Sequence, residues 1–99
     1  MHSSSFTISA LHPSLAGHFP GNPIVPGVVV LDEVVEALKR QGYKNIIGFS
    51  QVKFVQPLLP EQLCHVEYEA SEKSSNVKFT CRVNDVVISR GSIIVETNS

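Results

Sequence analysis

The 99-residue chain has no tryptophan, one methionine and two cysteines. Two cysteines are too few for a disulfide framework. No apolar run approaches the roughly 18 residues that a membrane helix needs. Met1-His2-Ser3-Ser4-Ser5 lacks the basic start and apolar core of a secretory signal. We therefore expect a cytoplasmic protein without a membrane span. Charge is scarce too: 17% of residues are charged, the net charge is −1, and there is no basic run. Nucleic-acid binding has no electrostatic support in such a chain. The histidines and acids show no His-Glu-x-x-His or Cys-His spacing, so no metal site is expected. There is no Gly-x-Ser-x-Gly, and covalent catalysis has no candidate nucleophile.

What is present fits one domain over residues 1–99, with no repeat, linker or break in composition. A hydrophobic fraction of 42% is ordinary for a globular domain. A chain this short buries a modest core, so a second copy would help it hide apolar surface.

The informative stretch runs from Gly17 to Arg40. Its first half, Gly17-His18-Phe19-Pro20-Gly21-Asn22-Pro23-Ile24-Val25-Pro26-Gly27, carries three prolines and three glycines. Proline fixes φ and glycine reaches φ values that other residues avoid, so this is a shaped loop. It holds one histidine, His18, and feeds directly into an apolar segment.

By propensity Val28-Val29-Val30 reads as strand. The longer window argues for a helix from about Gly27 to Gln41. At about 100° per residue, Val28, Leu31, Val34, Val35, Ala37 and Leu38 share one half of the wheel. Lys39 and Arg40 come late, which suits the macrodipole, and Gly42 can cap the end. Gly27 opens this helix, where free N–H groups can donate to an oxygen carrying negative charge. Asp32 falls on the border of the apolar arc, between Val28 and Glu36, and is expected to be partly desolvated.

Before the loop, Ser5 to Ala10 alternates and reads as a first strand, with residues 1–5 frayed. His12, followed by Pro13, reads as a turn residue. Beyond the helix, Ile46 to Val55 is rich in Ile, Phe and Val. Pro57 and Pro60 must break the ladder. From Cys64 to Ala70 and from Val77 to Val83 the alternation is clear. A two-residue turn at Glu72-Lys73 would set Cys64 opposite Cys81, Val66 opposite Phe79 and Tyr68 opposite Val77. A longer loop of the same parity fits equally well, and both put the apolar sets on one face. Asn84-Asp85 suits a tight turn, since both tolerate the left-handed region. Val86 to Val95 is the last strand, with Gly91 a candidate bulge. The expectation is a helix packed on an antiparallel meander, an α+β arrangement.

The segment from His18 to Asp32 resembles the active-site segment of the hotdog-fold β-hydroxyacyl-ACP dehydratases. In that family a His-Phe-Pro loop leads through a second Pro-Gly into the central helix, which carries Asp or Glu fourteen residues after the histidine. His18 and Asp32 stand at that spacing, with Pro20, Pro23, Pro26 and Gly27 at matching places. Phe54-Val55-Gln56-Pro57 and Leu59-Pro60 resemble the strand and turn that follow. The resemblance implies a hotdog fold, an antiparallel sheet wrapped around one long helix. It implies dehydration of a 3-hydroxyacyl thioester, on acyl carrier protein or coenzyme A, to the trans-2-enoyl product. His18 would remove the α-proton and the Gly27 N–H would hold the thioester oxygen. Asp32 would protonate the departing hydroxyl. Phe19, Pro26 and Val28 would border the substrate. No metal or organic cofactor is implied. The partners implied are the thioester substrate, acyl carrier protein and a second copy in a homodimer, with larger assemblies open.

Two features depart from the family pattern. Position 36 usually holds glutamine and here is Glu36, and family members are commonly longer. Two further readings share the fold. A thioesterase could use Glu36 on a water, and a non-catalytic module could bind acyl thioesters or the carrier protein.

Overall fold

The computed structural model describes residues 2–15, 24–43, 45–70 and 75–96. The valine-rich segment is helical, as its period predicts: α1 spans Gly27–Arg40. Pro26 sits at its N-cap with φ −59° and ψ 144°, and makes no side-chain capping bond. The helix ends in a Schellman motif. Gly42, at φ +102°, donates its N–H to Lys39 O at 3.0 Å, and Tyr43 N donates to Leu38 O at 3.2 Å.

Five strands form one antiparallel sheet: β1 (His2–Phe6), β2 (Ile46–Phe54), β3 (Cys64–Ala70), β4 (Asn76–Val83) and β5 (Val86–Val95). Their spatial order is β1-β3-β4-β5-β2. The meander is therefore β3 to β5 only. β2 crosses to the far side of β5, and its outer edge is unpaired among the described residues. The first strand begins earlier than expected. Polar residues 2–6 pair with β3, because an edge strand needs its main chain for the ladder and only one side-chain face covered. The His2 ring also stacks on Tyr68 directly across the strand pair, with centroids 5.7 Å apart.

The β3–β4 hairpin takes the longer loop. Val66 faces Cys81 and Tyr68 faces Phe79, so Cys64 is not opposite Cys81. Parity is kept, and Cys64, Val66, Tyr68, Val77, Phe79, Cys81 and Val83 are all buried on one face. The Glu72-Lys73 turn lies outside the described residues. Asn84 and Asp85, at φ 49° and 66°, make the tight turn between Val83 and Val86 as expected.

Gly91 is not itself bulged but faces a bulge. Ser50 pairs with Ser92 and Lys53 with Arg90, so Gln51 and Val52 together oppose Gly91. A methyl on Gly91 would sit 3.0 Å from Val52 Cα, so the bulge closes only over glycine. The buried sheet face and Val29, Val30, Val34, Ala37 and Leu38 of α1 make one core.

Candidate active site

The turn after β2 ties down two straps, the one entering α1 and the one after β1. Val25 N donates to Leu58 O at 2.8 Å, which fixes the strap entering the helix against the turn after β2. On the other side Glu61 N donates to Ile8 O at 2.8 Å, and Ala10 N donates to Glu61 Oε1 at 2.8 Å. The two prolines at 57 and 60 free this turn from any ladder, so its carbonyls and N–H groups serve the straps instead.

Beside the Val25–Leu58 bond lies a cavity of about 330 Å³ lined by Ile24, Val25, Gly27, Val30, Phe54 and Leu58, together with residues 55–57. Its walls are mainly apolar, with Gln56 the one polar side chain among them. Gly27 brings a helix N-terminus to this surface. The N–H groups of Gly27 and Val28 make no hydrogen bond among the described residues, and the first N–H groups of a helix have no intrahelical acceptor. The Phe54 ring lies against the same point. A methyl on Gly27 would stand 2.6 Å from Phe54 Cζ. Glycine is therefore the residue that lets an aromatic ring come this close to the start of the helix. Sequence reasoning did not single out Phe54 as a site residue. Its signal was the Phe-x-x-Pro that begins at the last residue of β2.

His18 and Phe19 lie outside the described residues. Pro26 is half-buried at the N-cap. Val28 was expected on the buried side of the helix and is 65% exposed instead. Asp32, expected to be partly covered, is exposed as well. The reason is angular. The sheet covers an arc centred near Val30 and Val34, and Val28 and Asp32 lie beyond it. Asp32 is five residues past Gly27, about 140° further round at roughly 100° per residue. Within one chain the carboxylate and the Gly27 cavity are on different sides of the helix. Glu36 pairs with Lys39 at 3.9 Å, both exposed.

Cys64 and Cys81 are fully buried free thiols. The thiol–thiol hydrogen bond, with burial adding to it, pushes Cys64 well above the ordinary thiol range. It stays protonated and supplies no nucleophile. Among the described residues, no three His, Cys, Asp or Glu side chains gather as metal ligands. None of the helices there is long and apolar enough to cross a membrane.

One helix laid on an antiparallel five-strand sheet, with a cavity where the helix begins, defines the hotdog class. The chain belongs to the ApeI-like family, whose profile, described as ApeI dehydratase, matches residues 2–92. It is 29% identical to the 3-hydroxyacyl-(acyl-carrier-protein) dehydratase FabZ of Granulibacter bethesdensis, over 86% of this chain and 58% of that protein. The chain thus spans little more than half the length of that relative. Its fold matches the dehydratase heterocomplex ApeI:P from Xenorhabdus doucetiae with a TM-score of 0.79 at 22% identity, covering 98% of this chain and 96% of that one. A crystal structure of an uncharacterized protein from Erwinia carotovora subsp. atroseptica matches equally well, at TM-score 0.79 and 23% identity over 95% and 81% of the two chains. The family resemblance carried by His18 to Asp32 and the expected hotdog fold are both borne out.

Proposed function

We propose that this protein removes water from 3-hydroxyacyl thioesters, carried on acyl carrier protein or coenzyme A, to give trans-2-enoyl thioesters. The observation that carries this reading is the Gly27 N–H, unbonded among the described residues at the start of α1, in the lining of a mainly apolar cavity. An apolar slot suits an acyl chain. Fixed N–H donors suit a thioester oxygen as it gains negative charge, and such a donor is worth about 2.7–4 kcal/mol in the barrier. In the proposed reaction the His18 imidazole takes the α-proton, and the resulting electron pair forms the new double bond as the β C–O bond breaks. Asp32 gives its proton to the departing hydroxyl, which leaves as water. The FabZ relative acts on this substrate class by its name, and His18 and Asp32 of this chain stand fourteen residues apart.

The carboxylate comes from a second copy, since Asp32 and the Gly27 cavity of one chain face different ways. We propose a homodimer joined through the free edge of β2, where Ile47 is 66% exposed, and through Val28 on the helix. We place the reaction in the cytoplasm, with no metal or organic cofactor.

The test is turnover of 3-hydroxyacyl thioesters of graded chain length, read as enoyl absorbance. His18→Ala and Asp32→Asn should each lose at least about a hundredfold, as general acid–base groups typically do. Release of free thiol without enoyl product would replace this reading with a thioesterase. Binding without turnover, unchanged in His18→Ala, would replace it with an acyl-binding module.

A further inference from the structure

The face of the sheet turned away from α1 holds a second feature. An open groove of about 640 Å³ runs across β2, β5 and β4, larger than the cavity at Gly27. Lys53, Arg90 and Lys78 line it, with Thr80, Ser92 and Gln51 between them. The cations come from three neighbouring strands. Lys53 is directly opposite Arg90, Arg90 is directly opposite Thr80, and Lys78 is directly opposite Ser92. This is a designed-looking conflict for a chain whose net charge is −1. Like charges directly across a strand pair destabilise it.

The acids nearby do not resolve the conflict. Glu67, across from Thr80, is taken by Arg82 at 2.6 Å. Glu69 is across from Lys78 but makes no ion pair with it within 4.0 Å. Neither reaches the Lys53–Arg90 pair, for which no carboxylate partner exists among the described residues. The bulge at Gln51 and Val52 also leaves part of the β2 ladder unused beside these two cations.

We propose that this groove binds a phosphoryl group. A phosphate dianion matches two unneutralised cations in charge. Its oxygens accept from a guanidinium and an ammonium together, and hydroxyls can complete the shell. A single carboxylate offers half the charge and fewer acceptor oxygens. Pairing at the β2 edge would leave the groove open, because edge pairing uses the main chain and not the strand's face. The proposal is independent of the dehydratase reading: Lys53 points away from the core side on which Phe54 meets Gly27.

The experiment is an amide chemical-shift titration of the whole chain with sodium phosphate, against sodium chloride at matched ionic strength. Coenzyme A and phosphate-free pantetheine form two further arms. Phosphate should give saturable shifts confined to residues 51–53, 78–80 and 90–92. Coenzyme A should shift the same three segments and pantetheine should leave them unmoved, whatever either does at the Gly27 cavity. Binding of coenzyme A more than about tenfold tighter than phosphate assigns the site to a carrier's phosphate, and equal binding assigns it to the free ion. Lys53→Gln and Arg90→Gln, both at exposed positions, should each weaken binding by about tenfold or more, with Lys39→Gln as a neutral control. Phosphate shifts reproduced by chloride, phosphate shifts lying elsewhere, or indifference to both substitutions would overturn the proposal.

Discussion

At the scale of single residues, Gly27 and Phe54 are one unit. The ring sits where a β-carbon would be, 2.6 Å from it at Cζ. Phe54 is half-exposed at 52%, so the ring can swing aside. Gly27→Ala should therefore change folding stability by less than about 1 kcal/mol, the usual gain of alanine over glycine in a helix offsetting the displaced ring. Its effect should appear in function. The displaced ring enters the space beside the N–H donors, and kcat/KM should fall by about tenfold or more, since small misplacements at a reacting centre are costly. Adding Phe54→Ala should return part of it. A Gly27→Ala protein as active as the parent would remove Gly27 from the site.

Tyr68 carries a different residue-level consequence. It is buried, and its hydroxyl makes no hydrogen bond among the described residues, though the Gln41 amide is near. Burial raises its pKa above the ordinary phenol value. The fold thus holds the neutral phenol. Below about pH 10 both folded and unfolded states are neutral and stability is unaffected. Above it the unfolded chain loses the proton first, so stability falls as pH rises. Tyr68→Phe should abolish that alkaline loss while shifting stability at pH 7 by no more than about 1 kcal/mol. Urea denaturation at pH 7 and pH 10.5 reads both numbers. A parent and variant that lose stability equally at the higher pH would show that Tyr68 does not ionise on unfolding.

At the scale of elements, the legible parts were those where local chemistry and tertiary context agree. The helix was readable because Gly42, Lys39 and Arg40 end it as the propensities say. The Asn84-Asp85 hairpin was readable because few other residues accept two left-handed positions in a row. The face of β3 and β4 was readable because alternation survives any even shift in register. The register itself was not, since a loop without glycine leaves its length open. β1 was misplaced because serine has low strand propensity, and only the edge of β3 makes residues 2–6 extended. The crossing of β2 to β5 left no local trace. The helix wheel showed an apolar half but not which part of it the sheet would cover. Val28 and Val35 extend the stripe past the covered arc, which is how a helix looks when something else is to pack there.

At the scale of the whole molecule, that uncovered stripe and the uncovered edge meet the problem of Asp32. The carboxylate lies about 140° round the helix from Gly27, so no side-chain rotation brings it to its own cavity. The proposed two-fold dimer would exchange the faces, setting each copy's Gly27 cavity against the other copy's Asp32, with His18 proposed to act at that cavity. This predicts complementation. His18→Ala and Asp32→Asn proteins, each inactive alone, should regain activity when unfolded together and refolded as a mixture. Half of the dimers then hold one chain of each kind. Each such dimer has one site with both groups intact and one with neither, so about a quarter of the parent's sites return. A site built within one chain would give no recovery, because every chain in the mixture lacks one of the two groups. Ile47→Lys on the β2 edge, introduced into both proteins, should abolish the recovery and leave monomers by sedimentation, since it puts a charge where main chains must pair. Recovery that survives as monomers, or none in a mixture that is dimeric, would refute a site shared between two copies.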